Sequence, residues 1–165
     1  MARIVVYTLA MVALAGTALV TLLAYLPSLP ANPSDGADTA LRAVFVKTTA
    51  MVFAAGVLGG CLYNLRGLVK HTAANDFDPN HTLAYYLRPV SGGISGLIVF
   101  FLLLGGAITL NLGTAAGATS WATLQGRMPY IAFALLAGYG SHEFMLKLKD
   151  IAESVFALRG GKDKQ

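Results

Sequence analysis

Charged residues and cysteine are both scarce in this chain of 165 residues. Only 12% of the residues are charged and there is one cysteine, Cys61, whereas about a quarter of the residues in an average soluble domain are charged. A single cysteine excludes a disulfide framework. The apolar fraction of 56% and the mean hydropathy of +0.63 exclude a disordered chain. The class that remains is an integral membrane protein.

Four long apolar segments predict four membrane-spanning helices, because about 20 apolar residues cross a hydrocarbon core of about 30 Å. The predicted spans are about residues 4–26, 41–65, 90–112 and 128–145. No segment shows the alternation and turn spacing of a membrane β-barrel. We therefore predict an all-α fold, an integral membrane four-helix bundle that forms one domain over residues 1–158.

The first segment has an alternative interpretation as a cleaved signal peptide. Arg3 gives it a positive start, and Ala13-Leu14-Ala15 has the small-residue pattern of a cleavage site. Its apolar core of about 23 residues is longer than the usual 7 to 15 residues of a signal peptide. We expect it to be retained as the first helix.

Lysine and arginine are distributed unequally around the spans. With both termini in the cytoplasm, nine basic residues flank the spans on that side, and only Arg127 lies outside. The positive-inside rule therefore predicts cytoplasmic N- and C-termini, most simply in a bacterial inner membrane. The net charge of +4 follows from this asymmetry. The basic residues flank helices and form no stripe with aromatic residues, which argues against nucleic-acid binding.

A short interfacial helix is predicted before the third span. It would begin near Asp78 and Pro79, because aspartate caps helices and proline suits the first helical position. Tyr85 and Tyr86 in this helix, and Trp121 in the third loop, are predicted anchors at the membrane interface. A docking ledge for a partner is the alternative role for this segment.

An amphipathic helix is predicted after the fourth span, over residues 146–158. Leu148, Ile151, Val155 and Leu158 recur at helical spacing and would form its apolar stripe. This stripe could lie on the membrane or pack on a neighbouring subunit. Residues 159–165 are predicted to form a flexible basic tail.

Glycines at four-residue spacing predict close helix packing, because lipid provides no hydrophobic drive for helices to associate and close backbone approach matters. Gly56 and Gly60 form one pair in the second span, Gly92 and Gly96 another in the third, and Gly138 pairs with Ala134 in the fourth. These faces could pack within one chain or between chains, and the sequence leaves both open.

Ionisable residues at membrane depth need a partner or a function. Lys47 and Arg42 lie in the start of the second span. Lys47 either extends to the outer headgroups or, together with Arg42, lines a cationic constriction that prefers anions. Arg88 and Glu143 lie at the same predicted depth and form a candidate ion pair, either a structural clasp or part of a proton relay.

No residue pattern predicts catalysis. His142-Glu143 begins like the helix of zinc proteases, but Leu146 stands where the second histidine is needed. His71 and His81 could bind a transition metal, although two histidines in one loop are a weak signal. We predict no catalytic residue, metal, cofactor or small-molecule substrate, and we expect the protein not to be an enzyme.

Three stretches resemble small multi-pass bacterial membrane proteins of uncharacterised function. They are residues 62–68 (LYNLRGL), residues 85–89 (YYLRP) with the glycines that follow, and LAGY at 136–139 leading into KLKDIAE at 147–153. The resemblance covers residues 56–156 and leaves out the first helix. It implies a bacterial origin and a repeated helical unit, and it supplies no site residues.

Two functions from different classes fit these observations. The first is a non-enzymatic membrane subunit that associates with itself or with a larger membrane complex through glycine-rich helix faces. The second is a homo-oligomeric channel with a Lys47 and Arg42 constriction, since four helices in one chain are too few to enclose a wide pore. A transporter and an electron-transfer anchor are lesser alternatives, and the transporter is disfavoured because no inverted repeat is visible.

Overall fold

The computed structural model describes residues 2–25, 37–74, 82–106 and 124–155. Within these ranges the chain is all-helical, with five helices and no strand. The helices are α1 (Ala2–Ala24), α2 (Ala37–Ala74), α3 (Thr82–Leu104), α4 (Leu124–Tyr139) and α5 (Ser141–Val155). The predicted interface anchor Trp121, the candidate metal ligand His81 and the predicted tail at 159–165 lie outside the described residues.

Three of the helices are long and apolar enough to cross a membrane. The spans are Arg3–Ala24, Leu41–Lys70 and Leu83–Leu104, so the prediction of membrane-type helices is confirmed for the first three segments. α2 has 38 residues and is about 57 Å long at 1.5 Å per residue. It extends well beyond a hydrocarbon core of about 30 Å.

The predicted fourth span, 128–145, is not one uninterrupted helix. α4 has 16 residues, about 24 Å at the standard rise, and the helix is interrupted at Gly140. Helical hydrogen bonds continue on both sides of this residue, since Gly140 N donates to Leu136 O (2.9 Å) and Phe144 N donates to Gly140 O (2.8 Å). α5 therefore follows directly from α4. A glycine beside a serine, here Ser141, is a common place for a helix to break.

The segment before the third span is not a separate helix among the described residues, and the predicted start near Asp78 and Pro79 lies outside them. α3 runs without interruption from Thr82 through Pro89 to Leu104. It also ends earlier than the predicted residue 112. Gly105 and Gly106 follow it, and Gly106 has a φ of 72°, the left-handed conformation with which glycine commonly ends helices.

α2 is the central helix, in contact with α1, α3 and α4. α1 and α3 run parallel, since Tyr7 Oη near the start of α1 donates to the main-chain carbonyl of Tyr86 near the start of α3 (3.2 Å). α2 runs the opposite way, because its residue Lys47 lies against Tyr25 at the end of α1. We call the end that holds Tyr7 and Tyr86 the tyrosine end.

Apolar packing joins the helices along their length. The largest buried cluster consists of Met51, Val52, Ala55, Phe100, Ile131 and Ala134, contributed by α2, α3 and α4. A second cluster, at the tyrosine end, joins Ile4, Leu68 and Tyr85. Burial differs greatly between the spans: 61% of an 18-residue apolar stretch of α2 is buried but only 17% of the corresponding stretch of α1. α1 is therefore a peripheral helix.

Candidate functional site

The five glycines predicted to pack helices lie together within one chain. We call Gly56 and Gly60 of α2, Gly92 and Gly96 of α3 and Gly138 of α4 the glycine seam. A Cβ atom added to Gly56 would lie 2.5 Å from the carbonyl oxygen of Gly92, and one on Gly60 would lie 2.6 Å from that of Arg88. A Cβ on Gly138 would collide with the carbonyl of Gly56.

The seam brings three backbones together at one level of the molecule. Gly56 has α3 on one side and α4 on the other. Gly59, three residues later in α2, faces the backbone of α4 near Leu135 and Tyr139. The middle of the molecule between α2, α3 and α4 is consequently filled by main chain.

Side chains from two other helices bond to the main chain around Pro89. A proline has no N–H, so the carbonyl four residues earlier, that of Tyr85, loses its helical donor. Asn64 Nδ2 of α2 donates to this carbonyl at 2.7 Å. Tyr7 of α1 donates to the next carbonyl, that of Tyr86. Replacement donors from neighbouring helices are one way in which proline is tolerated in membrane helices, and Asn64 is such a donor for the Tyr85 carbonyl.

Lys47 lies at the opposite end of the molecule, where it caps α1. Its Nζ donates to the carbonyl oxygen of Tyr25 at 2.9 Å, just after the last residue of α1. The final carbonyls of a helix lack intrahelical donors, and a cation there also interacts favourably with the helix dipole. Arg42 is exposed. The structure therefore gives Lys47 an intramolecular partner and does not bring Arg42 to it.

Arg127 has a different environment from the one predicted. It was expected outside the membrane as a loop residue, but it lies in α4 and is only 1% exposed. Hydropathy did not indicate this burial, because a single arginine beside a small polar loop has the composition of a loop residue.

The predicted interface anchors Tyr85 and Tyr86 lie between helices. Tyr85 is 4% exposed and packs in the cluster with Ile4 and Leu68. The ring of Tyr86 meets that of Tyr7 edge-on, with centroids 4.7 Å apart. Both rings therefore contribute to packing between helices at the tyrosine end.

The guanidinium group of Arg88 lies between two tyrosine rings. Its central carbon is 4.8 Å from the ring centroid of Tyr63 and 4.9 Å from that of Tyr85. Cations within about 6 Å of an aromatic centroid are attracted by the ring quadrupole. The guanidinium group is thus held between a tyrosine of α2 and a tyrosine of its own helix.

A partly open cleft of about 580 Å³ lies beside Arg88. Its walls come from α2, α3 and the junction of α4 with α5, and we call it the α3–α5 cleft. Its polar lining residues are Tyr63, Arg88, Ser91, Tyr139, Ser141, His142 and Glu143. Ala84, Gly140 and Met145 complete the wall. The volume is within the range of about 300 to 1,000 Å³ that is typical of ligand sites.

A second arginine braces one wall of this cleft. Arg66 Nη1 donates to the hydroxyl of Tyr139 at 2.6 Å, and the rings of Tyr139 and Tyr63 meet edge-on with centroids 5.8 Å apart. Ser91 Oγ donates to the main-chain carbonyl of Arg88 at 2.9 Å. These contacts fix the tyrosines of α2 and α4 in position around the cleft.

Arg88 and Glu143 both line the cleft, as their predicted depth implied. They do not form an ion pair within 4.0 Å among the described residues; the ion pairs there are Lys147–Asp150 and Lys149–Glu153 of α5. Tyr63, Ser91 and Tyr139 were not predicted as site residues from the sequence. Tyr63 lies one helical turn before Arg66, and Tyr139 lies one turn before Glu143. This spacing indicates a shared site only once the packing of the helices is known.

In the part of the chain that the structure describes, no three His, Cys, Asp or Glu side chains lie close enough together to hold a metal ion. The fold and these contacts define a small helical protein with three candidate membrane-spanning helices. Comparison of the chain with models of known families, with curated proteins and with solved structures gives no match.

Proposed function

We propose that this protein is a non-enzymatic subunit of a bacterial inner membrane, with four spans and both termini in the cytoplasm. α4 and the first turn of α5 together form the fourth span. The distribution of basic residues supports this orientation. It places the tyrosine end, with Arg66, Lys70 and Arg88, on the cytoplasmic side.

The glycine seam is the observation that carries the proposal. Gly56 and Gly60 allow the backbones of α3 and α4 to fill the space beside α2, which leaves no room there for a transport pathway. In the seam, the glycine faces of α2, α3 and α4 pack against one another within one chain. We therefore assign assembly with other chains to α1, the most exposed span, rather than to the glycine faces.

The polar side chains near the start of α2 support the same conclusion. Thr48 and Thr49 hydroxyls donate to the carbonyls of Val44 and Phe45 one turn earlier in their own helix (2.8 and 2.9 Å). Together with the Lys47 contact to Tyr25, these bonds give three polar side chains near the start of α2 partners inside the same chain. We therefore prefer the non-enzymatic membrane subunit to the homo-oligomeric channel as the function of this protein.

Native mass spectrometry of the protein, extracted gently from its own membrane, tests the proposal. A species at two or more times 17.3 kDa, or co-purification with larger membrane subunits, is the expected result. An isolated monomer under conditions that preserve known membrane complexes would contradict it. Oxidative cross-linking of a Leu14→Cys variant then maps the contact, because Leu14 of α1 is 67% exposed.

A further inference from the structure

We propose that the α3–α5 cleft binds a phosphate group that carries a primary ammonium, the chemistry of a phosphoethanolamine lipid headgroup. This inference rests on the membrane orientation proposed above, but not on assembly with other chains. Its basis is the pair of opposite charges, Arg88 and Glu143, that line one cleft without neutralising each other.

Arg88 supplies the anion-binding half of the site. Guanidinium groups bind phosphate with two parallel N–H donors, and the planar group loses less freedom on binding when it is already held in place. Tyr63 and Tyr85 hold this guanidinium from two sides. Arg88 itself lines the cleft, so a phosphate bound there can reach its guanidinium group.

Glu143 supplies the cation-binding half of the site. It lies in the first turn of α5 with an exposed side chain, and it borders the same cleft as Arg88. A carboxylate accepts charge-assisted hydrogen bonds, and a primary ammonium offers three N–H donors. A ligand with both charges therefore meets a partner for each, whereas an anionic headgroup without an amine would place its excess negative charge beside Glu143.

The aromatic rings of the site argue against a choline headgroup. Quaternary ammonium groups have no N–H donor and are usually recognised by the open faces of several aromatic rings. Here the faces of Tyr63 and Tyr85 that border Arg88 are covered by its guanidinium group. The cleft is thus suited to a primary amine.

The location of the cleft favours a lipid as the source of this headgroup. In the proposed orientation, the cleft lies at the cytoplasmic interface, where phosphate groups of the inner leaflet are found. Ala84 and Met145 add apolar surface to its wall, which would suit the glycerol region of a lipid. A soluble phosphoethanolamine has the same charges but lacks acyl chains, so the two sources can be separated by experiment.

The test measures ligand retention by the detergent-purified, delipidated protein with native mass spectrometry. The probes are phosphatidylethanolamine, phosphatidylglycerol and phosphatidylcholine of one acyl composition, with soluble phosphoethanolamine and inorganic phosphate as headgroup-only arms. We expect phosphatidylethanolamine to be retained most strongly. Stronger retention of the lipid than of soluble phosphoethanolamine supports a lipid source, and equal retention supports the same site with a soluble ligand.

Two variants test separately the roles of Arg88 and Glu143 in binding the headgroup. Arg88→Gln should weaken phosphatidylethanolamine and phosphatidylglycerol alike, by about tenfold or more for loss of a charged hydrogen bond. Glu143→Gln should weaken only phosphatidylethanolamine and so remove the preference between the two lipids. Glu143 is exposed, so its replacement tests the proposal even where Arg88→Gln impairs folding.

Glu153→Gln is the matched control, because Glu153 is an exposed glutamate of the same helix, pairs with Lys149 and is absent from the cleft. It should bind all probes like the wild type. Equal retention of the three lipids by the wild type would overturn the proposal. So would a Glu143→Gln variant that keeps the wild-type preference.

Discussion

Asn64 of α2 donates a hydrogen bond of 2.7 Å to the main-chain carbonyl of Tyr85 in α3, the carbonyl that Pro89 leaves without its helical donor. Asn64 is fully buried, so this bond forms out of contact with solvent. It joins two helices at the place where one of them would otherwise break. The carbonyl that Pro89 leaves without its helical donor is therefore satisfied by a residue that is 25 positions earlier in the chain.

Asn64→Leu should destabilise the protein by about 1 kcal/mol, the typical net value of a buried hydrogen bond and of those measured in membrane helices. The leucine retains similar volume but cannot donate to the Tyr85 carbonyl. The free energy of unfolding in mixed micelles, followed by circular dichroism, measures the loss.

A double-mutant cycle with Pro89→Ala isolates the cause of this loss. An alanine at 89 restores an N–H that can donate to the Tyr85 carbonyl, so Asn64→Leu should then cost much less than in the Pro89 background. Additive effects of the two substitutions would show that the Asn64 bond does not compensate for the proline.

Gly56→Ala should destabilise the fold by about 1 to 3 kcal/mol, the usual cost of overpacking. The new methyl group would lie 2.5 Å from the carbonyl oxygen of Gly92, so α2 and α3 must separate. Gly16→Ala in α1 is the matched control, because a Cβ there meets nothing within 4 Å, and it should be neutral or slightly stabilising. Thermal unfolding in detergent measures both.

The oligomeric state of the same Gly56→Ala variant distinguishes the two possible uses of the glycines. Packing within the chain predicts lower stability at every protein concentration with no specific loss of assembly. A variant with normal stability that no longer assembles would show instead that the glycine faces pack between chains.

The spans could be predicted from sequence because each depends on local composition. α1 and the apolar part of α2 follow directly from runs without charge. The ends were less accurate: α2 continues beyond the predicted residue 65 through Arg66 and Lys70, whose side chains are exposed. Hydropathy marks the end of apolar composition, whereas a helix continues as long as its charged side chains can reach solvent.

The features that were not predicted depend on contacts between distant residues. The sequence predicted a short helix separate from the third span at 90–112, but α3 is continuous past Pro89. Asn64 donates to the carbonyl that Pro89 leaves without its helical donor, and no local pattern indicates that bond. The α3–α5 cleft combines Tyr63, Arg88 and Glu143 from three helices. The sequence placed Arg88 and Glu143 at one depth, but their separation and the tyrosines around the guanidinium depend on how the helices pack.

Lys47→Leu should reduce stability by about 0.3 to 1 kcal/mol, the range for a cation at a helix C-terminus, because it removes the donor to the Tyr25 carbonyl. Arg42→Leu, at an exposed position of the same helix, should change stability less. Thermal unfolding compares the two. In planar bilayers neither variant should alter conductance, and a change in ion selectivity on Lys47→Leu would favour the channel.

Cysteine labelling from one side of the membrane should confirm the orientation and the number of spans. Cys61 is fully buried, so a membrane-impermeant maleimide should not label the wild type. Thr39→Cys, at an exposed position near the start of α2, should be labelled in intact spheroplasts. Lys149→Cys in α5 should be labelled only after permeabilisation, because an even number of spans returns the chain to the cytoplasm.

The same two positions separate the alternatives. With the opposite orientation, Lys149→Cys would react in intact spheroplasts and Thr39→Cys only after permeabilisation. If α4 does not cross the membrane, α5 remains on the side where α3 ends, and both positions would react in intact spheroplasts. The labelling pattern thus tests whether 16 residues of α4 and the turn beyond Gly140 span the membrane, which length alone does not decide.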